Sequence, residues 1–124
     1  YYPPVDSGDD PLVRACVKRV CTHAADRFGR AITHQHWFAA ISDLSYARHA
    51  DDTHGWLAYE RNTPGYGTDY SVPFAGMQRL NMPVLNVGPS GKDLHMRTER
   101  LHRASAFEEL PALLADLVQF VAAR

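Results

Sequence analysis

Apolar residues recur at helical spacing in the first third of the chain. Val13, Cys16, Val17, Val20, Ala24 and Phe28 form one stripe, which predicts a helix with one buried face. Asp9 or Asp10 suits its N-cap, Pro11 its first turn and Gly29 its end. Arg14, Lys18, Asp26, Arg27 and His23 fall off the stripe and read as its solvated side. Ahead of it, Tyr1 to Gly8 reads as an entering strand or linker. The pattern then changes to alternation. In Ala31 to Phe38, residues Ile32, His34, His36 and Phe38 share one face of an expected strand, with Thr33, Gln35 and Trp37 on the other. Ser42 is placed to cap a short helix running to about His49, with Asp43 in its acidic first turn.

Asp51 to Val72 shows no clear period. Its Gly55, Pro64, Gly65 and Gly67 lie among Trp56, Tyr59, Tyr66 and Tyr70, so an ordered irregular loop packed through its aromatics is expected. Pro73 to Leu80 reads as a short helix with Phe74, Met77 and Leu80 inward. Pro83 to Val87 reads as a buried strand that breaks on Gly88, Pro89 and Gly91 and then delivers His95 and Glu99. Ser105 and Glu108 have capping-box spacing, but Pro111 removes a backbone donor from that helix. A short turn at Ala106 to Leu110 and then a helix from about Leu110 to Ala123 are expected. Leu113, Leu114, Leu117, Val118, Phe120 and Val121 make this last helix apolar enough to be well buried. The alternation of helices and strands places the chain in the α/β class.

Composition adds limits. The chain has 124 residues, 45% apolar and 22% charged, enough for one globular domain. A net charge of -1 with no basic cluster argues against nucleic acid as a partner. No apolar run approaches the ~20 residues of a membrane span, and Tyr1-Tyr2-Pro3-Pro4 is not a secretory leader. Because the sequence starts without Met, it reads as a fragment. Cys16 and Cys21 stand five positions apart, which on one helix is ~7.5 Å of rise and ~140° of rotation, unsuited to a disulfide. They read as packing residues, and reduced thiols fit a cytoplasmic protein.

Candidate chemistry gathers after the central strand. Gly88-Pro89-Ser90-Gly91-Lys92 does not make a phosphate loop, because Asn86 stands where the first glycine is needed and Asp93 follows the lysine. Its glycines instead suit close approach of backbone N–H groups to a carboxylate or oxyanion. His95 is then either a ligand or a plain loop residue. His34 and His36 make an H-x-H pair able to ligate a metal, and His49 and His54 lie near Asp51 and Asp52, but neither set has a full ligand spacing.

Three blocks together resemble one superfamily, the di-zinc aminoacylases, carboxypeptidases, dipeptidases and desuccinylases. Ile41-Ser42-Asp43 is similar to its Thr/Ser-Asp motif, Pro83 to Pro89 to its strand and Gly-Pro-Gly loop, and His95 to Glu99 to its His-x-x-x-Glu. The phrases I-S-D-L-S-Y, L-N-M-P-V-L-N-V-G-P-S-G-K-D-L-H and T-E-R-L bring it nearest to the arginine utilization protein RocB branch. The resemblance implies a zinc exopeptidase-like three-layer sandwich, of which residues 1–124 would be the C-terminal part: a mostly parallel sheet flanked by helices, without the lid domain. It implies a zinc-dependent amidohydrolase or peptidase acting on an N-acyl amino acid or small peptide, with two Zn²⁺ polarising the amide carbonyl and activating water. By position, His95 would be a zinc ligand and Glu99 would brace its loop. Ser42 and Asp43 would line the pocket, and Gly88, Pro89, Ser90 and Gly91 would contact substrate.

The chain departs from the pattern as well. The family's His-x-Asp, bridging aspartate and Glu-Glu general base have no match, since His34-Gln35-His36 is not His-x-Asp and Glu108-Glu109 follows His95. No catalytic residue is therefore assigned, and the isolated chain is expected to be inactive and to self-associate through exposed edges. Leu44 and Ser45 replace the Ala-Arg whose arginine holds a substrate carboxylate in many relatives. The competing reading is a non-catalytic α/β ligand-binding or interaction module.

Overall fold

The computed structural model describes residues 7–36, 42–49 and 53–124, with the backbone alone for Thr53 and His54. The expectations placed on Tyr1 to Asp6, Trp37 to Ile41, Asp51 and Asp52 lie outside the described residues. Two compact units are present. One comprises Gly8–His36 and Leu85–Arg124, and the other the described residues of Tyr1–Ser7 and Trp37–Val84.

The first unit is built on helix α1, Pro11–Phe28. Asp10 Oδ1 accepts the N–H groups of Leu12 at 2.8 Å and Val13 at 3.2 Å, satisfying two of the donors that a helix start leaves free. Pro11, with no N–H of its own, occupies the first turn at no cost. At the other end Gly29 takes φ 62° and its N–H donates to Ala25 O at 3.0 Å, a left-handed cap that glycine adopts without a Cβ penalty. A Cβ at Gly29 would meet nothing within 4 Å. Gly29→Ala is thus a pure backbone-strain change, expected to cost about 1 kcal/mol in urea unfolding; no loss would show that the cap relaxes freely.

Helix α4, Leu110–Ala122, packs against α1. Val20, Ala24 and Leu113 are buried between them, with Phe28, Val87 and Leu117 around. Pro111 cannot donate back along the helix, and the turn ahead of it widens. Ser105–Glu109 is a π-helical turn in which the Leu110 N–H donates to Ser105 O, five residues back. The expected capping box does not form, because Ser105 already lies within the helix. His102 does the capping: Ala106 N–H donates to its carbonyl at 2.9 Å and Ser105 N–H to its Nδ1 at 3.2 Å. The expectation that α4 is well buried is also corrected. Leu113 is buried at 5%, but Leu114, Val118 and Val121 remain 39%, 67% and 42% exposed, because α1 covers a single stripe.

Ion pairs also join the two helices. Arg19 and His23, one turn apart on α1, both reach Asp116 on α4, Arg19 through Nε at 2.7 Å and through Nη2, and His23 through Nδ1 at 3.0 Å. The hydrogen bonds from Arg19 hold the Asp116 carboxyl well below the usual carboxylate range. A carboxyl with its folded-state pKa lowered stabilises the fold above its unfolded pKa of ~3.9 and loses that contribution as the pH drops below it. Asp116→Asn should therefore flatten the fall in urea midpoint between pH ~4 and ~2; an unchanged slope would assign acid sensitivity to other carboxylates.

The second unit holds a 3-10 turn at Asp43–Tyr46, α2 at Thr53–Asn62 and α3 at Phe74–Leu80. Ser42 Oγ accepts the Leu44 N–H at 3.3 Å, as expected of a cap, though the helix ends sooner than expected. Val72, Phe74 and Met77 form its core, with Tyr46, Trp56 and Tyr66 against them. Leu80, expected inward, is 51% exposed.

The expected mostly parallel sheet is not found. Among the described residues the strands are β1, Gly91–Lys92, and β2, Arg100–Leu101, paired antiparallel with Gly91 opposite Leu101 and Lys92 opposite Arg100. Residues 31–36 and 83–87 carry strand-like patterns but belong to no ladder. Alternation makes a segment fit to be a strand, and only a hydrogen-bonded neighbour makes it one. The irregular segment expected at Asp51 to Val72 is corrected too, since ten of its residues are α2. That helix presents Trp56 to the core while Leu57 and Ala58 stay exposed, so little apolar periodicity marks it.

Candidate functional site

In the first unit a cavity of about 420 Å³ is lined by Gly88, Pro89 and Ser90 together with Arg30, His34 and Asn86. Its lining also includes Val17, Val20 and Leu113 from α1 and α4. Two charged side chains on it neutralise each other: Arg30 Nε and Nη2 both bond Glu109, at 2.9 to 3.0 Å. Such a bidentate pair is geometrically fixed, so the cavity offers no free charge among its described lining.

Ser90 anchors the glycine loop. Its N–H donates to the buried Ser105 Oγ at 2.9 Å, and its carbonyl accepts the His102 N–H at 2.9 Å. Since His102 Nδ1 in turn accepts from Ser105 N–H, the loop is fastened to the start of the last helical segment. Gly91 is required by packing, because a Cβ there would stand 2.9 Å from Arg100 O. Gly88 is not, since a Cβ there meets nothing within 4 Å. Neither glycine takes a positive φ. The chain turns instead at Asp93 and His95, with φ 57° and 61°.

His95 is therefore a non-glycine residue in the left-handed region, a conformation that costs roughly 1–3 kcal/mol and clusters at functional positions. Its N–H donates to Glu99 Oε2 at 3.2 Å, which fixes the turn and leaves the imidazole exposed. It is not among the residues lining the cavity. Ser42 and Asp43 lie in the other unit, where Ser42 caps the 3-10 turn and Asp43 is exposed.

Among the described residues no three of His, Cys, Asp and Glu converge as metal ligands. The His34 and His36 rings lie 4.7 Å apart, centroid to centroid, without a third donor. His49 is buried against Trp56 and Phe74, and among the described residues neither of its ring nitrogens finds a hydrogen-bond partner. Zinc sites take three or four protein ligands. The donors of these residues do not complete one, and His95 fits only as a single ligand.

Sequence reasoning missed Arg30, Glu109, His102 and Ser105. Arg30 and Glu109 stand 79 positions apart and form no motif. The one available signal was Ser105, read as a cap when it serves as the acceptor for Ser90.

Two curated proteins of Bacillus subtilis (strain 168) are similar to this chain. "Uncharacterized protein YqjN" is 43% identical over 114 residues, covering 92% of this chain and 20% of that protein. "Protein RocB" is 31% identical over 110 residues, covering 88% of this chain and 19% of that protein. The chain thus spans about one fifth of the length of these relatives. No protein-family profile matches it, and no solved structure does. Among the described residues no helix is long and apolar enough to cross a membrane.

Proposed function

We propose that this chain is the part of a RocB-like zinc-dependent amidohydrolase or peptidase that supplies one metal ligand and a substrate-facing loop. The substrate class is an N-acyl amino acid or small peptide, consistent with an intracellular role in amino-acid use. The observation that carries the reading is His95, held in the left-handed region by Glu99 at the end of the glycine loop, with its imidazole exposed. Similarity to RocB over 88% of this chain supports the same reading. His95 Nε2 or Nδ1 would donate to one metal, and the remaining ligands and the general base come from residues outside these 124. Gly88 and Gly91 would offer backbone N–H groups to the substrate, since Pro89 has none and the Ser90 N–H is held by Ser105.

The purified 124-residue chain tests this directly. Because one imidazole does not hold zinc firmly, it should show neither stoichiometric zinc binding nor chelator-sensitive hydrolysis of N-acetyl amino acids. Either result from the isolated chain would replace this reading with a self-contained site.

A further inference from the structure

Helix α4 is apolar on two sides. Leu113 and Leu117 pack toward α1. About half a turn round, Pro111, Leu114, Ala115, Val118 and Ala122 follow one another at helical spacing, and all are exposed. Phe107, in the π-helical turn, extends this stripe at its N-terminal end and is 72% exposed. No charged residue interrupts it. A helix that is apolar all round is normally covered all round, and α1 covers one side only. A contiguous apolar stripe of this kind marks an interaction surface.

Three features of the stripe fit it to itself. Without a charge of its own, it matches another uncharged apolar helix face, and the same stripe on a second copy is one. Its register is also self-complementary. Antiparallel pairing about a two-fold axis between Leu114 and Ala115 sets Leu114 against Ala115, Pro111 against Val118 and Phe107 against Ala122. The largest side chains thus fall opposite methyl groups, which lets the two faces interdigitate. Arg103 supplies the third feature. It lies one turn before Phe107, is exposed and pairs with no acid among the described residues. The same pairing brings it to the C-terminal end of the other copy's α4, where free carbonyls carry partial negative charge. Parallel pairing would instead set Arg103 against Arg103 and align the two helix dipoles, both unfavourable.

We propose that the outer face of α4 is a two-fold dimer interface, in which two copies of this chain pair their α4 helices antiparallel. The proposal is separate from the metal reading of His95 and stands without it. Thirteen residues make a helix ~20 Å long. One pair of such faces is smaller than a standard protein interface, so the dimer is weak, with a Kd between about 10 µM and 1 mM.

Sedimentation velocity on the whole chain, from about 1 µM to a few mM, tests this. The chain should pass from monomer to dimer and stop there. Val118→Glu should weaken the dimer at least about tenfold, because it buries an unpaired charge twice per interface. Val118 is exposed in the single chain, so the change does not threaten folding, and circular dichroism checks that. Leu80→Glu alters an equally exposed apolar side chain of the second unit and should leave the dimer unchanged. Arg103→Glu should weaken it about threefold or more, and Arg103→Lys should restore most of that loss. A monomer at the highest concentration overturns the proposal and leaves the stripe to the further length of polypeptide that both relatives have. Association that survives Val118→Glu, or that grows past the dimer, also overturns it. Arg103→Glu pairing as well as the unaltered chain would overturn the antiparallel arrangement.

Discussion

Phe74→Ala should lower stability by about 3–5 kcal/mol, more than any other single truncation in the second unit. Phe74 is 1% exposed. The Trp56 ring meets it edge-on at 3.4 Å between centroids, and the His49 ring lies 4.8 Å away. The helix it starts, α3, has seven residues and no side-chain cap. A helix this short is not stable on its own in water, so it depends on the packing of Phe74 and Met77. Removing the ring also leaves Trp56 and His49 facing a cavity, and their buried nitrogens already lack hydrogen-bond partners among the described residues. The urea midpoint, followed by Trp56 fluorescence and circular dichroism, reads the outcome. A loss below 1 kcal/mol would mean that the unit is held together elsewhere.

The helices were legible where local chemistry and burial agree. Asp10, Pro11 and Gly29 bound α1 because capping acts within a few residues, and the stripe from Val13 to Ala24 is buried as its spacing predicts. Phe74 and Met77 likewise mark α3. Pro111 announced a disturbance, but not that a π-helical turn would absorb it. The strands were misread for a different reason. Ile32, Val84, Leu85 and Val87 have the right side chains, yet a ladder is a property of two segments, and the second is absent from the described residues. The exposed face of α4, with Val118 at 67%, shows the converse limit: an apolar helix is buried only as far as neighbours reach.

The site was legible in part. His95 and Glu99 stand four apart, and the structure joins them through the His95 N–H. The role of Ser90 as the loop's anchor was not visible, because its partners Ser105 and His102 become neighbours only once α4 folds. The turn was assigned to glycines, whereas Asp93 and His95 make it. Asp and His are among the non-glycine residues that enter the left-handed region more readily than most.

The largest functional effect is expected from His95. In a polypeptide carrying this segment at the full length of its relatives, His95→Gly should cut amide hydrolysis by orders of magnitude while leaving the fold intact. Glycine accepts φ 61° without penalty, so the change relieves backbone strain and is expected to raise stability by up to about 1 kcal/mol. It keeps the main-chain N–H that Glu99 holds and removes the imidazole alone. A loop histidine with no ligand role would show the stability gain without the loss of activity. Ligation should also weaken on acidification, because proton and metal compete for the same nitrogen.

Zinc bound per chain, measured by elemental analysis on that full-length protein and its His95→Gly variant at matched pH, bears most directly on the assignment of His95. The account predicts that the variant loses zinc from one site while its metal-free thermal midpoint stays level or rises slightly. Full zinc in the variant, with turnover near that of the parent, would contradict it and return His95 to the status of a turn residue.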